Sequence, residues 1–400
     1  MNRTGLSTSL SIVATALLAA VLLTLSISRG FYELTFHDSF FSLTLASCVI
    51  VFFHVRPPME IVRLLVLAGV LVILQLYFLH VPLHWRSASA MLGAASLALL
   101  VFARIWSPPQ QHRLLHHAFL LPLLFVLFSY AGAAPLQITG RLHPATLDPT
   151  LYAFDGSLGI QLSFLAGRLI LWSKPLTRLI LLCYYALPAA LLLVYAQRLT
   201  RNVDVAATAF LAFFVVGPVG VLFYNLVPAC GPIYLVGSAF PAHPASAAQL
   251  RQIMLQPAAI AGARNAFPSL HFAWALLAYR YSMGLPRWTR LLLLTFLIGT
   301  VIATLALGEH YFVDLVAALP FALMIEAGCA LRIPMSDHLR STPIVVGVFL
   351  IVAWAMLLRF GMSIVWISPA VPWMLIAMTG AVCLVQHRRL ESALASPRLS

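Results

Sequence analysis

The chain has 400 residues, of which 62% are hydrophobic and 9% are charged, and its mean hydropathy is +0.97. Soluble domains typically carry about 25% charged residues, so this composition excludes a soluble fold. Apolar runs of about 20 residues recur from end to end, which indicates an all-α polytopic membrane protein rather than a barrel of short alternating strands. The net charge of +13 lies mostly in short loops, where basic residues orient helices and contact anionic lipids, so nucleic acid is not an expected partner.

Window hydropathy predicts about twelve transmembrane helices, with approximate ranges of 9–27, 40–55, 61–80, 88–104, 117–135, 177–197, 204–226, 268–284, 288–307, 310–331, 343–359 and 364–385. The first run lacks a small-x-small cleavage site, so we interpret it as a retained helix rather than a signal peptide. The five cysteines show no CxxC or Cys/His spacing, so neither a zinc site nor a disulfide framework is predicted.

Basic residues set the predicted orientation of these helices. With the N-terminus in the cytoplasm, fifteen of the 24 Lys and Arg residues fall in inner segments, so both termini are predicted to be cytoplasmic. The long loops 136–176 and 227–267 then lie outside, together with the turn before His310. The segment "LYAFDGSLGIQLSFLAGRLILW" in the first loop is apolar but broken by Asp155 and two glycines, which favours an interfacial or re-entrant helix.

The stretch "LGEHYFVDLVAALP" places His310 and Asp314 four residues apart at the start of an apolar run. A helix brings such positions to one face, where the carboxylate accepts a hydrogen bond from one imidazole nitrogen and leaves the other as an exposed lone pair. The carboxylate also stabilises the cation that forms when this nitrogen attacks. The alternative is a buried polar pair that only joins helices, but ionisable residues within membranes are costly and tend to be functional.

The stretch "RNAFPSLHFAWALLAYRY" begins as a polar loop and becomes an apolar helix. Pro268 suits the first helical turn, and the N–H groups of Ser269 and His271 would then point out of the helix end, which is a good phosphate site. His271 is a candidate proton donor, and Arg264 lies just upstream as a candidate anion ligand. His271 alone is more typical of a satisfied interfacial histidine, but the three residue types together favour a site.

This set of residues fits phosphoryl transfer through a phosphohistidine. His310 would attack phosphorus, His271 would protonate the departing alcohol, and Arg264 with the helix end would neutralise the phosphoryl oxygens. Water or a second alcohol would then take the phosphoryl group. No cofactor is predicted, and no acidic cluster suited to a metal ion occurs in the sequence.

At these residues the sequence resembles the type-2 phosphatidic acid phosphatase superfamily. Its second motif is similar to "PSLH", residues 268–271, and the end of its third motif, H-x3-D, is similar to His310 and Asp314. The forms "FPSLH" and "HYFVDL" look closest to the inositolphosphorylceramide synthase-like, or inositolphosphotransferase, branch. The resemblance implies the superfamily's core helix bundle, His310 as nucleophile, Asp314 as its partner and His271 as acid/base.

The sequence departs from the superfamily pattern at two places. Ala303 and Thr304 occupy the positions where the third motif usually has S-R, and the first motif, K-x6-R-P, is not found. The segment "CGPIY" with Tyr234 occupies a comparable place, and Arg264 is expected to supply the lost charge. "LDPTLYAFDGSLG" is loosely similar to the branch's D-x-x-L-x-G region, with Asp155 as the best-matched position. These gaps favour transfer of a phospho-head group over hydrolysis of a monophosphate.

The predicted organisation follows from this placement of motifs. We predict N-terminal transmembrane helices of unknown role over 1–135, a phosphatase or phosphotransferase-like core over 136–335, and two C-terminal transmembrane helices with a cytoplasmic tail over 336–400. The expected partners are a phospholipid or other lipid-phosphate donor, a lipid or sugar alcohol acceptor, and the membrane itself. The expected location is a bacterial inner (plasma) membrane, with the active site facing the periplasm or exterior.

Two rival functions and three other polar features stay open at this stage. The alternatives are a transporter or lipid flippase without phosphoryl chemistry, although the polar motifs fall only in the second half of the chain, and an inactive scaffold with the same fold. His112 and His116 share metal-pair spacing, but a basic interfacial patch is favoured. Glu326 lies too deep for the chemistry and is expected to be a structural partner or a protonated carboxyl. Glu309 is expected to project about 100° away from His310 on a helix.

Overall fold

The computed structural model of the protein describes residues 3–252 and 256–395, so the end of the predicted cytoplasmic tail, 396–400, lies outside the described residues. Helices make up 79% of the structure. They are, in chain order, α1 (Arg3–Ser26), α2 (Arg29–His37), α3 (Ser39–Val55), α4 (Ile61–Leu79), α5 (Trp85–Trp106), α6 (His112–Ala131), α7 (Ala133–Leu142), α8 (Asp148–Ser157), α9 (Leu162–Trp172), α10 (Lys174–Tyr185), α11 (Leu187–Leu199), α12 (Val203–Tyr224), α13 (Pro232–Val236), α14 (Ala247–Gln252), α15 (Leu270–Tyr281), α16 (Arg287–Ala306), α17 (Phe312–Cys329), α18 (His338–Phe360), α19 (Met362–Val365) and α20 (Ala370–Ala395).

Short elements join these helices. Three 3-10 turns cover Pro58–Glu60, Pro109–Gln111 and Gly237–Ala239. The strands β1 (Ala145–Thr146) and β2 (Ala258–Ala259) pair antiparallel, with Ala145 opposite Ala259 and Thr146 opposite Ala258. This pairing connects the two long loops that the sequence predicts on one side of the membrane.

The described residues form two compact units. The first contains the chain up to Ala131 together with Tyr185–Phe210, and the second contains Gly132–Tyr184 together with the chain from Leu211 onward. All the predicted site residues belong to the second unit. The C-terminal helices α18 and α20 belong to this unit too, because both pack against α17.

Eight helices within the described residues are long and apolar enough to cross a membrane, or up to ten if each of two bent pairs is one span. The prediction of twelve is not confirmed. The two remaining predicted helices correspond to α3, with 17 residues, and α15, with 12 residues. At 1.5 Å per residue they are about 26 Å and about 18 Å long, below the ~30 Å hydrocarbon core of a bilayer. The predicted range 268–284 overestimates α15 because it includes two residues before the helix and three after it.

Helix α17 lies at the centre of the second unit. In its most apolar window 78% of residues are buried, compared with 17% for α20. Gly347 of α18 permits close packing, because a Cβ atom there would lie 2.7 Å from the carbonyl oxygen of Pro320 in α17. Pro320 lies inside α17 and this helix contacts α8, α15, α18 and α20. The N-terminal end of α17 is therefore held by several elements at once, and the predicted site lies at this end.

Candidate active site

The turn that carries the "PSLH" motif is bonded directly to the start of α17. Ser269 is the N-cap of α15, and its hydroxyl accepts a hydrogen bond from the N–H of Phe272 at 3.4 Å. Its own N–H donates to the carbonyl oxygen of Asp314 at 3.1 Å. Helix α15 begins at Leu270, so Pro268 lies before the cap and the prediction that it lies in the first helical turn is wrong. The Ser269 N–H is likewise not free for a ligand.

His310 and Asp314 meet as predicted, but not as two residues of one helix. Helix α17 begins at Phe312 with Tyr311 as its N-cap, so His310 lies in the loop before it. The imidazole Nδ1 of His310 lies 3.0 Å from the carbonyl oxygen of Ala266 and 3.4 Å from Asp314 Oδ2. Because a carbonyl oxygen only accepts, Nδ1 carries the proton and Nε2 presents the lone pair.

The helix start explains this geometry. Asp314 Oδ2 accepts a hydrogen bond of 2.7 Å from the N–H of Tyr311, which completes a capping box at the first turn of α17. The same oxygen faces the His310 ring, so one carboxylate both caps the helix and orients the imidazole. Ser163 at the start of α9 donates its hydroxyl to the carbonyl oxygen of His310 at 3.0 Å, which fixes the loop from the other side. His310 is thus held at its backbone and at its ring.

The imidazole of His271 lies against aromatic side chains. Burial, together with the charge of His310, lowers the pKa of His271 to about 3. The His271 ring stacks on Tyr184, with centroids 4.2 Å apart and planes at 17°, and it meets Trp274 edge-on at 6.5 Å. Within the described residues its ring nitrogens have no hydrogen-bond partner. The aromatic contacts orient the ring and leave both nitrogens for a ligand.

Two further carboxylates are buried around the same helix end. Asp155 Oδ2 accepts a hydrogen bond of 2.9 Å from the N–H of Phe312, the first residue of α17, while its Oδ1 is buried without a hydrogen-bond partner in the described part of the chain. Burial raises the pKa of Asp155 to about 8, the charge of Asp314 adds to this rise, and the Phe312 N–H opposes it. Asp155 therefore acts as a second cap of α17 and is not directed at a substrate by these contacts.

Asp148 links the loop 228–231 to the site. Its carboxylate accepts hydrogen bonds from the N–H groups of Cys230, at 3.0 Å, and Gly231, at 2.8 Å, and from the hydroxyl of Tyr311 at 3.0 Å. Both Asp148 and Tyr311 are fully buried. The quoted segment "LDPTLYAFDGSLG" contains Asp148, yet sequence reasoning selected only Asp155 from it. An acidic residue just before a proline at a helix start was the available signal for a capping or turn-binding role.

Arg264 is buried and bonded to backbone oxygens. Its Nε donates to the carbonyl oxygen of His143 at 2.9 Å, its Nη2 to that of Pro144 at 2.9 Å, and its Nη1 to that of Gly262 at 2.5 Å. Nη1 also lies 3.5 Å from the sulfur of Cys230. The side chain therefore clamps the two long loops together two residues before Ala266. Of its five N–H donors these contacts leave at most one for an anion.

Tyr234 and Glu309 form a pair next to His310. The Tyr234 hydroxyl lies 3.3 Å from both carboxylate oxygens of Glu309, and Tyr234 is 40% exposed. Burial raises the pKa of Glu309, while the charge of His310 and the Tyr234 hydrogen bond oppose the rise. Glu309 precedes α17, so the helical projection expected for it does not apply. Gly231, with φ of 123°, lets this loop approach, because a Cβ atom there would lie 2.6 Å from the Glu309 carbonyl oxygen.

The other polar features lie apart from this site. Glu326 forms a salt bridge of 2.8 Å with Arg280 and contacts His387 at 3.0 Å, so it is the structural partner that the sequence allowed. His112 contacts the carbonyl oxygen of Ser107. A cavity of about 280 Å³ beside α8 and α9 includes Arg168 but neither site histidine. Among the described residues no group of three or more His, Cys, Asp or Glu side chains has an arrangement that holds a metal ion.

Comparisons with known proteins agree with this arrangement. No curated protein and no solved structure matches the chain. A family model does match: residues 149–327, less than half of the 400-residue chain, match the model of the PAP2 superfamily. The matched segment contains every predicted site residue, from Asp155 to Asp314. Proteins of this superfamily are phosphatases or phosphotransferases, so the segment supports an enzyme of that class with a PAP2-type core embedded in a membrane.

Proposed function

We propose that the protein is a lipid phosphotransferase that moves a phospho-head group from a lipid donor to an alcohol acceptor, or to water, through a phosphohistidine. The observation that carries the proposal is the contact of His310 Nδ1 with the carbonyl oxygen of Ala266, because it assigns the N–H to Nδ1 and the lone pair to Nε2. An oriented imidazole with a carboxylate behind it is the arrangement of an activated nucleophile and its positioning group.

In the first step His310 Nε2 attacks the phosphorus of the donor and forms a P–N bond. Because burial lowers the pKa of His271, this ring takes up its proton together with the anionic phosphate that binds beside it. The P–O bond to the lipid alcohol then breaks, and His271 donates this proton to the departing oxygen. The imidazole of His310 is then cationic, and the carboxylate of Asp314 at 3.4 Å stabilises it. Asp314 thus favours the intermediate more than the free enzyme, which is where stabilisation accelerates a reaction.

In the second step an acceptor hydroxyl attacks the same phosphorus from the side that the lipid alcohol has left. His271, now neutral, takes the hydroxyl proton as the acceptor oxygen bonds to phosphorus. The P–N bond breaks, and the electron pair returns to His310 Nε2 with Nδ1–H unchanged. Atoms and charge balance across the two steps, and His271 acts first as acid and then as base.

The charge of the site favours a phosphodiester donor over a phosphomonoester. The site groups Asp148, Asp155, Glu309 and Asp314 are acidic, while Arg264 directs most of its donors at backbone oxygens. We propose that the phosphoryl oxygens are bound by the first-turn N–H groups of α15, near Ser269, and by the remaining Arg264 N–H. Such a site suits one negative charge better than two. Tyr234 is proposed to contact the head group, and Asp155 to support the helix that carries Asp314.

The proposed reaction takes place at the outer leaflet, on a lipid donor, with a lipid or sugar alcohol as acceptor. The test is to incubate purified protein with a panel of phospholipids and phosphorylated lipids, with and without alcohol acceptors, and to identify the products by mass spectrometry. We expect a head-group-transfer product from a diester lipid, formed also in the presence of a chelator. His310→Ala should reduce its formation by at least about 10³-fold.

Two outcomes would contradict this proposal. Turnover that survives His310→Ala would exclude the phosphohistidine route. Lipid movement between leaflets without any phosphoryl product, equal in the wild type and in His310→Ala, would support the transporter alternative. Asp337→Asn is a suitable control, since it alters another helix-capping carboxylate of the same unit without touching the site residues.

A further inference from the structure

The first unit contains a cavity that the proposed reaction does not use. It has a volume of about 610 Å³ and lies where four helix ends meet: the end of α3, the start of α4, the end of α5 and the start of α6. One part of the cavity is lined by charged or polar residues, which are Arg56, Glu60, Arg63, Ser107 and Gln111. Another part is lined by residues of α5, which are Leu99, Phe102, Ala103 and Trp106. The cavity therefore has a polar end at the loops and an apolar wall along a membrane helix.

The polar end carries an excess of positive charge. Arg56 is bonded to Glu60 through Nη2, while Arg63 lies 3.8 Å from the same Glu60 oxygen and is 73% exposed. One carboxylate thus faces two guanidinium groups. The Nε of Arg56 is buried and has no hydrogen-bond partner among the residues described for this chain. A buried N–H donor without an acceptor is costly, and an anion in the cavity would satisfy it.

The apolar wall distinguishes a lipid from a small soluble anion. Leu99, Phe102 and Ala103 belong to α5, which is apolar enough to cross a membrane. Trp106, 75% exposed, stacks on Phe102 at the end of this helix, with ring centroids 5.7 Å apart. Tryptophan at such a position is typical of the interface between hydrocarbon and head groups. A ligand that fills both ends needs a phosphate and an adjoining acyl chain.

We propose that this cavity binds an anionic glycerophospholipid. The phosphodiester lies between Arg56 and Arg63, where a single negative charge balances the excess of one guanidinium over Glu60. The acyl chain lies along Leu99, Phe102 and Ala103, and Trp106 covers the boundary between the two. The predicted orientation puts the loops 56–60 and 107–111 on the cytoplasmic side, where anionic lipids and basic pockets between membrane helices meet.

The test is a titration of the purified full-length protein in detergent with phosphatidylglycerol, using thermal unfolding as the readout. Phosphatidylcholine, inorganic phosphate and sn-glycerol 3-phosphate are the comparison ligands. We expect a concentration-dependent rise of Tm with phosphatidylglycerol, because a ligand that binds only the folded state stabilises it. Zwitterionic phosphatidylcholine and the two soluble phosphates should give a much smaller rise.

Arg63→Gln and Arg113→Gln form a matched pair of variants. Both side chains are mostly exposed, both lie near a carboxylate and both belong to segments predicted to be cytoplasmic, but Arg113 pairs with Asp204 and does not line the cavity. Arg63→Gln should weaken phosphatidylglycerol binding about fivefold, and Arg113→Gln should leave it unchanged. Arg56→Gln should weaken it further, but Arg63→Gln decides the test if Arg56→Gln does not fold.

Three results would overturn the proposal. Equal stabilisation by phosphatidylglycerol and phosphatidylcholine would exclude recognition of the charge. Equal stabilisation by a soluble phosphate would show that the cavity binds phosphate without the lipid chain. An equal loss of affinity in Arg63→Gln and Arg113→Gln would reduce the effect to the general charge of the surface. Phosphatidylglycerol also belongs to the class of donors proposed for the active site, so the comparison of Arg63→Gln with Arg113→Gln, and not the rise of Tm alone, separates this proposal from the phosphotransferase proposal.

Discussion

Buried charged side chains have different kinds of partners at the two ends of helix α17. At the C-terminal end Glu326 is paired with Arg280 and His387, and Arg340 donates to the carbonyl oxygens of Ala327, Gly328 and Ile333. At the N-terminal end the three carboxylates of Asp148, Asp155 and Asp314 accept mostly backbone N–H groups. At this end the guanidinium of Arg264 donates to backbone oxygens, so among the described residues only the imidazole of His310 is a basic side chain in contact with one of the three carboxylates.

The C-terminal end of α17 therefore has a structural role, whereas we propose that the chemistry takes place at its N-terminal end. A buried ion pair that is fully compensated stabilises only one arrangement of charge. Carboxylates held by backbone N–H groups keep capacity for a new cation, and Asp314 still has a buried Oδ1 without a partner among the described residues. The N-terminal end can therefore accommodate a positive charge that appears on His310 during a reaction. Variants at the two ends should accordingly affect different properties.

The largest expected effect on stability is at the C-terminal end. Glu326→Gln removes the charge that compensates Arg280, whose side chain is 9% exposed, and should lower the free energy of unfolding by about 3–5 kcal/mol. The specific activity of the folded fraction should stay at the wild-type level. Unfolding in denaturant, followed by circular dichroism, measures the first quantity. Glu391→Gln is the control: its carboxylate is 53% exposed and lies 4.0 Å from His387, so its effect should be close to zero.

Asp314→Asn tests the N-terminal end and should affect turnover more than stability. An amide keeps the acceptor for Tyr311 N–H but removes the charge that stabilises cationic His310. We expect kcat to fall about 10²-fold with KM nearly unchanged, less than the loss for a carboxylate that alone orients its histidine, because Ala266 still fixes Nδ1. Steady-state kinetics measures both. A rise of KM at constant kcat would place Asp314 in substrate binding instead.

The effect of substituting Asp155 on stability should depend on which residue replaces it. Asp155→Asn keeps an oxygen for Phe312 N–H and matches a neutral carboxyl, so activity should change little, and stability should equal that of the wild type at pH ~4 and exceed it at pH 7. Asp155→Ala leaves that buried N–H without an acceptor and should cost about 1–3 kcal/mol. Equilibrium unfolding of the two variants measures the difference. Equal losses for both would contradict a capping role.

The same residue gives a pH dependence of stability. Burial, together with the charge of Asp314, raises the pKa of Asp155 to about 8 from the ordinary value of 3.8. The folded protein then keeps a proton that the unfolded chain releases, so this contribution is complete below pH ~4 and is lost as the pH rises towards ~8. The wild type should lose stability over this range relative to Asp155→Asn. A flat difference between the two proteins would exclude the raised pKa.

The smallest expected effect is at the mouth of the site. Tyr234→Phe removes a hydrogen bond of 3.3 Å between a 40% exposed hydroxyl and Glu309. Such a contact is weak, so kcat/KM should fall only a few-fold and stability should stay within about 0.5 kcal/mol. A loss near that of Asp314→Asn would show that Tyr234 contacts the reacting atoms. The measurement is kcat/KM on whichever donor the lipid panel identifies.

The sequence predicts a membrane protein and identifies the two motifs that lie together in the structure, because apolar runs and motif spacings are local patterns. Apolar runs indicate the helices, and "PSLH" with the H-x3-D spacing indicates the residues for which we propose the chemistry. The sequence places the start of α17 two residues too early, because Asp314 accepts a hydrogen bond from the N–H of the N-cap Tyr311 and His310 stays in the loop before the helix. Window hydropathy does not detect helix capping, and it also predicts the 12-residue α15 as a complete membrane span.

Contacts between distant parts of the chain were beyond sequence reasoning. Arg264 stands next to the "PSLH" turn and was assigned to phosphate, but its guanidinium reaches the carbonyl oxygens of His143 and Pro144, about 120 residues away. Asp148 and Ser163 also act on the site through backbone groups of loops that lie far from them in sequence. Such partners become visible only when β1 and β2 bring the two long loops together.

The most direct test of the account is to trap the covalent intermediate on His310. Purified protein is mixed with the head-group-labelled donor identified by the panel, quenched in base within the first turnover, and its peptides are read by mass spectrometry. A base-stable, acid-labile phospho-adduct on the peptide that contains His310, absent from His310→Ala and retained in Glu326→Gln, is the predicted result. Full product formation with label on no histidine, or with label on His271 alone, would contradict the account.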